Sequence, residues 1–220
     1  MEIPLKQKIL SKNDQLASDL RALFNQHHIF TTNLVSSPGS GKTELLSQLL
    51  KSLQPKYSPA AITGDLATQN DADRLAVSGA PSHQILTGTM CHLESDMIST
   101  ALQNFDLDSL DFLFIENVGN LVCPGNFDLG EHLRIVLVST TEGEDKPLKY
   151  APMFHTADLV VINKIDLAQA VGCDIQLLES NIHQIVPDIP ILHTSAKTGK
   201  GVTDLTKILI TKRSSLSATK

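Results

Sequence analysis

The sequence contains no tryptophan, two tyrosines and only three cysteines among its 220 residues. Because aromatic residues make up 4% of the chain and hydrophobic residues 41%, we expect aliphatic side chains to form most of the core. The odd number of cysteines argues against a disulfide framework and leaves Cys91, Cys123 and Cys173 available as metal ligands. The length suits one α/β domain, or one domain with a short appendage.

Clustered positive charge and long apolar segments are also missing. The formal net charge is -6, which argues against binding to a nucleic-acid backbone, because that binding requires clustered cationic side chains. No apolar run approaches the roughly 20 residues that cross a bilayer. The N-terminal segment also lacks the apolar core of a signal peptide. We therefore expect a cytoplasmic protein that has neither nucleic acid nor a membrane as a partner.

Seven apolar segments predict strands that alternate with helices. The segments are nearly continuous in apolar residues, which is typical of parallel strands that are buried on both faces. They cover residues 30–35, 60–63, 83–86, 112–115, 135–139, 159–163 and 191–193. Apolar residues at helical spacing predict helices before residue 30 and at 45–53, 93–105 and 204–212. The pattern predicts an α/β fold with a mostly parallel sheet flanked by helices.

A phosphate-binding loop follows the first predicted strand. Residues 36–43, Ser-Ser-Pro-Gly-Ser-Gly-Lys-Thr, match the pattern G-x-x-x-x-G-K-[ST] except that Ser36 replaces the first glycine. Glycines let successive backbone N–H groups face anionic oxygens, and the following helix adds the positive end of its dipole. Lys42 would contact the β- and γ-phosphates, and Thr43 would bind Mg²⁺. The nucleotide contacts predicted in this loop are Gly39, Ser40, Gly41, Lys42, Thr43 and Glu44.

Two carboxylates are candidates for completing a magnesium site. Asp65 and Glu116 each come at the end of a predicted strand, at the edge of a parallel sheet where ligands collect. We predict that both hold Mg²⁺ with Thr43 and act in catalysis with Lys42. A solvated loop carboxylate is the alternative interpretation of each. Three residues at the start of a predicted helix fit capping as well as catalysis and stay unassigned: Asp71, Asp73 and Arg74.

A guanine-binding element follows the sixth predicted strand. Residues 163–166, Asn-Lys-Ile-Asp, match the N-K-x-D element in which Asn163, Lys164 and Asp166 serve the base. The Asp166 carboxylate has two acceptors for the N1–H and the exocyclic amine of guanine, and adenine lacks that amine. We predict that Ser195-Ala196-Lys197 supplies a backbone N–H to the guanine carbonyl. Three elements in this order indicate a GTPase that binds GTP and GDP, and they disfavour an ATP-dependent kinase.

A possible metal site lies outside these nucleotide motifs. Cys91 and His92 are adjacent, and Cys123 follows Gly119 by four positions. Thiolate and imidazole suit Zn²⁺ and Ni²⁺, although a core cysteine and a hydrogen-bonded histidine are the plain alternatives. Three ligands suggest an open, exchangeable site or one that is completed across a dimer. Cys123 lies just beyond residues 116–119, which should sense the γ-phosphate, so we hypothesise that hydrolysis changes the metal geometry.

Several segments together resemble the HypB nickel-insertion GTPases of hydrogenase maturation. They are residues 36–43, 64–65, 71–74, 91–93, 115–124 and 163–166. The run Ile-Glu-Asn-Val-Gly-Asn-Leu-Val-Cys-Pro at 115–124 is the most specific, and the resemblance extends over nearly the whole chain. Ser36 and Glu116 are usual within this family. The resemblance implies a P-loop NTPase fold of the SIMIBI class, with a GTPase domain at residues 30–215 after an N-terminal helical appendage at residues 1–29.

The resemblance also implies partners and a metal. It implies a GTP-dependent homodimer with Cys91, His92 and Cys123 as Ni²⁺ or Zn²⁺ ligands near the dimer interface. It further implies delivery of nickel to the large subunit of NiFe hydrogenase, with a HypA-type nickel metallochaperone as partner. Some members carry an N-terminal Cys-x-x-Gly-Cys-x-Cys site or a histidine-rich tract, whereas this segment has only His27-His28. We therefore expect no high-affinity nickel storage there. Lys146 is a candidate contact to nucleotide or to the second subunit.

Two other functions stay open at this point. A urease accessory GTPase of the UreG type typically has a Cys-Pro-His motif, which this sequence lacks. A metal-binding scaffold could use the nucleotide only to hold its structure, but Asp65 and Glu116 argue against an inactive site. Where a Ras-like enzyme places a water-orienting glutamine after Gly119, this chain has Asn120. We therefore predict slow intrinsic hydrolysis.

Overall fold

The seven predicted strands form one parallel sheet. A computed structural model describes residues 2–66 and 74–217, with side chains for 10–66 and 74–216. The strands are β1 (Phe30–Ser36), β2 (Pro59–Asp65), β3 (Ser82–Leu86), β4 (Phe112–Glu116), β5 (Leu133–Ser139), β6 (Leu159–Asn163) and β7 (Ile191–His193). Their spatial order is β3-β2-β4-β1-β5-β6-β7, and all neighbours are parallel. The predicted α/β fold is confirmed.

Helices cover both faces of this sheet. Those that the structure describes with full bounds are α1 (Glu2–Gln26), α2 (Lys42–Leu53), α3 (Ser95–Ala101), α4 (Lys146–Lys149), α5 (Ala151–Phe154), α6 (Ala168–Val171), α7 (Ile175–Ile185) and α8 (Val202–Ser217). Short 3-10 turns occupy Leu102–Asn104, Leu107–Ser109, Cys123–Asn126 and Ile165–Leu167. Among the described helices, none combines the length and the hydrophobicity that a membrane span requires.

The predicted helix at 93–105 is longer than the observed one. Glu94 has an extended backbone, with φ of -118° and ψ of 159°, so α3 begins at Ser95. At the other end, Phe105 N–H donates to Leu102 O, which closes a 3-10 turn, and Phe105 itself is extended. The interior of α3 is as predicted, and extended backbone at Glu94 and at Phe105 bounds this helical segment.

Aliphatic side chains form the core on both faces of the sheet. On one face, α2 and α8 bury Leu45, Leu49 and Leu205 against the strands. On the other face, Phe24 of α1 and Ile98 of α3 belong to a second buried cluster. The N-terminal helix therefore packs on the sheet. The domain division at residue 29 stays a prediction.

An ion pair and a histidine attach α1 to the loop that precedes β5. The Arg21 guanidinium binds the Asp128 carboxylate at 2.7 Å. The half-buried His132 ring stacks on Phe30 with 5.5 Å between ring centroids. Its Nδ1 accepts the Thr31 N–H at 3.0 Å, so its Nε2 carries the proton and donates to Asn25 Oδ1 at 3.1 Å. The contact with Thr31 requires the neutral imidazole, because a protonated Nδ1 cannot accept a hydrogen bond.

Burial, with a smaller contribution from the positive charge of Arg21, lowers the pKa of His132 to about 4. The unfolded chain takes up this proton near the ordinary pKa of 6.5, so His132 contributes stability above pH 6.5 that is lost as the pH falls toward about 4. We expect the free energy of unfolding to fall over this window, and to fall less in His132→Gln. Urea unfolding at several pH values measures the difference. Identical pH dependence in the two proteins would contradict the assignment.

Candidate nucleotide and metal site

The phosphate loop joins β1 to α2, as predicted. Gly39 and Gly41 have positive φ angles of 76° and 93°, which side-chain-bearing residues rarely adopt. A Cβ added to Gly41 would lie 2.7 Å from Asn163 Nδ2. The loop therefore needs glycine at this point for its conformation and for its contact with the loop after β6. Helix α2 begins at Lys42, so its N-terminus opens onto the loop.

The departure from the glycine pattern at Ser36 has a structural explanation. The Ser36 side chain is fully buried under the loop. Its Oγ accepts hydrogen bonds from Ser40 Oγ at 2.5 Å and from Lys42 Nζ at 3.0 Å, and it donates to Ser37 O at 2.8 Å. The Ser36 side chain therefore links the start of the loop to Ser40 and Lys42 at its end.

The predicted magnesium ligands lie together. The Thr43 hydroxyl donates to Glu116 Oε1 at 2.7 Å, which brings the start of α2 to the end of β4. Glu116 is 2% exposed, and the half-buried Asp65 ends the neighbouring strand β2. A hydroxyl and two carboxylates are the hard oxygen donors that Mg²⁺ prefers. The residues present therefore fit this ion.

These groups line one cleft of about 480 Å³ at the carboxyl edge of the sheet. Its walls include loop residues, both carboxylates and one residue of the base-binding element. The predicted site residues among them are Gly39, Ser40, Gly41, Lys42, Thr43, Glu44, Asp65, Glu116 and Lys164. Arg74, which has no role assigned from the sequence, also lines the cleft. Asp71 and Asp73 lie outside the described residues.

The base-binding element is tied to the phosphate loop by its first two residues. Asn163 Nδ2 donates to Ser40 O at 2.9 Å, and Lys164 Nζ donates to Gly39 O at 2.5 Å. Asn163 Oδ1 accepts the Ala196 N–H at 3.2 Å, so the loop after β7 joins the same cluster. Asp166 lies beyond the cleft in an exposed turn. Its carboxylate is therefore accessible to a base.

The loop after β7 is mostly buried. Ser195 is fully buried, Ala196 is 5% exposed, and Lys197 is exposed. Ser195 Oγ accepts the Thr198 N–H at 3.2 Å, which tightens the turn. The predicted residues 195–197 lie beside the Asn-Lys-Ile-Asp element, because the Ala196 N–H donates to Asn163. Helix α8 starts beyond them, at Val202.

The three predicted metal ligands converge near the same edge of the sheet. The ligand atoms of Cys91, His92 and Cys123 all lie within 4.8 Å of one another, and all three residues are half-buried. The two sulfurs are 2.6 Å apart, and Cys91 Sγ is 3.9 Å from His92 Nδ1. The hydrogen bond between the thiols and the burial of the site raise the pKa of Cys123, because a second thiolate beside the first is unfavourable without a cation.

Cys173 takes no part in this cluster. It lies beyond the C-terminal end of α6, where its N–H donates to Ala168 O. Burial and the nearby Glu144 carboxylate raise the pKa of its thiol, which disfavours the thiolate that metals bind.

Asn120 contacts the segments that carry the predicted metal ligands. Its Nδ2 donates to Cys91 O at 3.3 Å, and its Oδ1 accepts the Val122 N–H at 2.8 Å. The side chain also hydrogen-bonds to Cys123. The amide at the position of a Ras-like water-orienting glutamine therefore joins the two cysteine-bearing segments.

The loop that carries Cys123 also contacts the phosphate loop. A Cβ on Gly119 would lie 3.1 Å from Pro38 Cα, so the two backbones approach closely. Just before it, Asn117 Oδ1 accepts the N–H groups of Leu93 and Val118. Residues 116–123 thus connect the cleft to the three predicted metal ligands.

Sequence reasoning missed Glu142 as a neighbour of the phosphate loop. Its carboxylate accepts the Ser139 N–H at 3.0 Å and a short hydrogen bond from Ser37 Oγ. Lys146, the predicted contact of this segment, lies 3.5 Å from Glu142 and above the Tyr150 ring. In the sequence, Glu142 closely follows a predicted strand and begins the segment 142–149, which contains Lys146 and resembles a segment of the HypB family.

Comparison with known proteins identifies the family of this arrangement. Residues 30–193 match the family model described as the CobW/HypB/UreG nucleotide-binding domain. The crystal structure of HypB from Helicobacter pylori in complex with nickel has a TM-score of 0.87 and 39% identity, covering 93% of this chain and 96% of that one.

Curated relatives extend this similarity. The hydrogenase maturation factor HypB of Azotobacter vinelandii is 46% identical over 90% of this chain, which spans only 65% of that relative's length. The probable hydrogenase maturation factor HypB of Methanocaldococcus jannaschii is 45% identical, and the match covers 90% of both proteins. The chain therefore belongs to the HypB family of P-loop nucleotide-binding proteins.

Proposed function

We propose that this protein is a GTP-hydrolysing metallochaperone that assists nickel insertion into NiFe hydrogenase. The observation that carries the proposal is the connection between its two sites. Residues 116–123 begin at the nucleotide cleft and end at the ligand Cys123, which meets Cys91 and His92 within 4.8 Å. The names of the HypB relatives support the hydrogenase assignment.

Hydrolysis of GTP requires mainly that the reacting groups are positioned correctly and that the phosphate charge is neutralised. Lys42 is 8% exposed and lies at the cleft, where its ammonium would bind the β- and γ-phosphates. Backbone N–H groups at the start of α2 supply further positive potential. Mg²⁺, held by Thr43, Asp65 and Glu116, would neutralise phosphate charge when bound. The Asn120 side chain hydrogen-bonds to Cys91 and Cys123. We therefore propose slow intrinsic GTP turnover, assisted by Asp65 or by dimerisation.

Replacement of Lys42 tests the enzyme activity. We expect Lys42→Ala to reduce nucleotide binding and to lower GTP turnover by about 10²- to 10³-fold, the usual effect of removing one preorganised donor. Phosphate release under saturating GTP measures this. Lys51→Ala, which removes an exposed lysine from the last turn of the same helix, is the control and should behave as wild type. Undetectable turnover in the wild-type dimer would favour the scaffold alternative.

Guanine selection is assigned to Asp166, with Asn163 and Lys164 holding the element on the phosphate loop. The backbone N–H groups of residues 195–197 would bind the guanine carbonyl. The Ala196 N–H already donates to Asn163, which favours Lys197 as the donor to the base.

An amide at position 166 should change the preferred base. We expect Asp166→Asn to bind GDP about 10- to 100-fold more weakly, because unpaired polar groups of the base cost about 1–3 kcal/mol. The new amide can instead donate to the second carbonyl of xanthine, so xanthosine diphosphate should bind better than it binds wild type. Equilibrium titration with both nucleotides measures the change. Unaltered preference for GDP would exclude Asp166 from the base site.

Nickel is the proposed cargo of the Cys/His cluster. Two thiols and one imidazole suit Ni²⁺ and Zn²⁺, and three ligands from one chain leave a coordination position for exchange or for a second subunit. Exposed apolar side chains occur at the same edge of the sheet. They are Leu66 at 44%, Leu86 at 52% and Val122 at 62% exposure, and they support a GTP-dependent homodimer that buries this edge.

Ligand replacement tests the metal site. With GDP bound, we expect Cys123→Ser to weaken Ni²⁺ binding by more than the 10- to 100-fold that is typical of losing an outer-sphere partner. Cys173→Ser is the matched control and should leave the affinity unchanged, because Cys173 lies outside the cluster. Competition with a chromophoric chelator gives the affinities for Ni²⁺ and Zn²⁺. Equal loss in both variants would contradict the ligand set.

The proposed partners follow from this role. Nickel would arrive from a HypA-type metallochaperone and pass to the large subunit of NiFe hydrogenase, and the cytoplasm, where GTP is available, is the proposed location. A urease-type accessory function is not favoured, since Cys123-Pro124 is followed by Gly125 where the UreG type has histidine.

A further inference from the structure

The imidazole of His92 is held on two sides. Its Nε2 lies 3.2 Å from Glu94 Oε1, and the two side chains are 14% and 23% exposed. One face of the ring stacks on Phe127, with 4.0 Å between centroids and 25° between planes. These contacts fix both the position of the ring and its rotation.

The contact with Glu94 also selects the tautomer. An ionised carboxylate only accepts hydrogen bonds, so Nε2 must carry the proton that it donates. The remaining nitrogen, Nδ1, then presents its lone pair on the side of Cys91 Sγ, 3.9 Å away. A metal-binding histidine commonly donates its other N–H to a carboxylate in this way, which orients the ring and raises its basicity.

We propose that Glu94 is a positioning residue for the metal site, which holds His92 as an Nδ1 ligand beside the two cysteines. The inference rests on the proposed metal-binding function, and it adds a residue and a ligating atom to that function. Glu94 acts through the imidazole and is not itself a ligand, because its carboxylate lies at the opposite nitrogen.

The local structure leaves Glu94 free for this role. It is the N-cap residue of α3, yet its side chain makes no capping hydrogen bond to that helix in the described structure. Asp96, in the first turn, is the acidic residue placed to interact with the helix dipole. Substitution of Glu94 should therefore affect His92 more than it affects α3.

Phe127, which stacks on the His92 ring, is held in place by a buried ion pair. The carbonyl of Phe127 accepts a hydrogen bond from the Arg134 guanidinium at 2.7 Å. Arg134 is in turn paired with Glu131 at 2.5 Å, and the two side chains are 9% and 6% exposed. Arg134 thus fixes the position of Phe127 under the His92 ring. Glu94 makes the polar contact that determines which nitrogen of His92 carries the proton.

The test is a set of substitutions with matched charge changes. We expect Glu94→Ala to weaken Zn²⁺ and Ni²⁺ binding by about 10- to 100-fold, as for other carboxylates that support a histidine ligand. Glu94→Gln keeps an acceptor without the charge and should show a smaller loss. Asp96→Asn removes an exposed charge two residues away and should bind as wild type. Thermal unfolding of the apoproteins checks that each variant is folded.

A spectroscopic measurement identifies the ligating nitrogen independently of affinity. In the cadmium-substituted protein, a metal on Nδ1 couples through three bonds to the Hε1 proton only, whereas a metal on Nε2 couples to Hε1 and Hδ2. We expect coupling to Hε1 alone in wild type and in Glu94→Gln. Coupling to both protons in wild type would overturn the proposal.

His92→Ala separates this inference from the proposed function. If His92→Ala and Cys123→Ser bind metal as wild type does, the metal site itself is wrong. If both lose affinity while folded Glu94→Ala binds like Asp96→Asn, the site stands and the role of Glu94 is refuted. Loss in Glu94→Ala with partial recovery in Glu94→Gln supports the proposal.

Discussion

A single buried amide, that of Asn117, connects the two halves of the candidate site. Its oxygen accepts the N–H of Leu93 at 3.2 Å and of Val118 at 3.0 Å, and its nitrogen donates to Asn33 at 3.4 Å. Asn117 is 1% exposed, so an unpaired group there would cost about 1–3 kcal/mol. Leu93 follows the proposed ligand His92 and Val118 lines the cleft, so a shift of either loop would strain these shared bonds.

Because the sheet is parallel, the loops of the two candidate sites lie at the same edge and close to each other. Strands β1, β2 and β4 are neighbours, and their carboxyl ends carry the phosphate loop, Asp65 and Glu116 at one edge. The loop that leaves the carboxyl end of β3 lies at the same edge and carries Cys91 and His92. The proposed nucleotide and metal sites therefore use different parts of one cluster of loops, and Asn120 joins two of those loops. We infer that the metal ligands respond to the nucleotide because they share these supports.

Contiguous motifs and apolar strands could be predicted from the sequence, because each is formed by neighbouring residues. Residues 112–115 and 159–162 are continuous apolar runs, and the phosphate loop is built from its own consecutive backbone N–H groups. Long-range contacts could not be predicted in the same way. Nothing in the local sequence places Phe127 on His92, and the direction of the Asn120 side chain depends on where the chain after β3 returns. Glu94 was not singled out from the sequence, and its position two residues from a predicted ligand is the one local signal that could have indicated it.

The most direct test of the account is the Ni²⁺ affinity of the wild-type protein measured with GDP and with a non-hydrolysable GTP analogue. We expect the two affinities to differ by about 5- to 150-fold, the usual range for coupled sites. The difference should shrink in Asn117→Ala, which removes the shared hydrogen bonds. Equal Ni²⁺ affinity in the two nucleotide states of the wild-type protein would contradict the central claim.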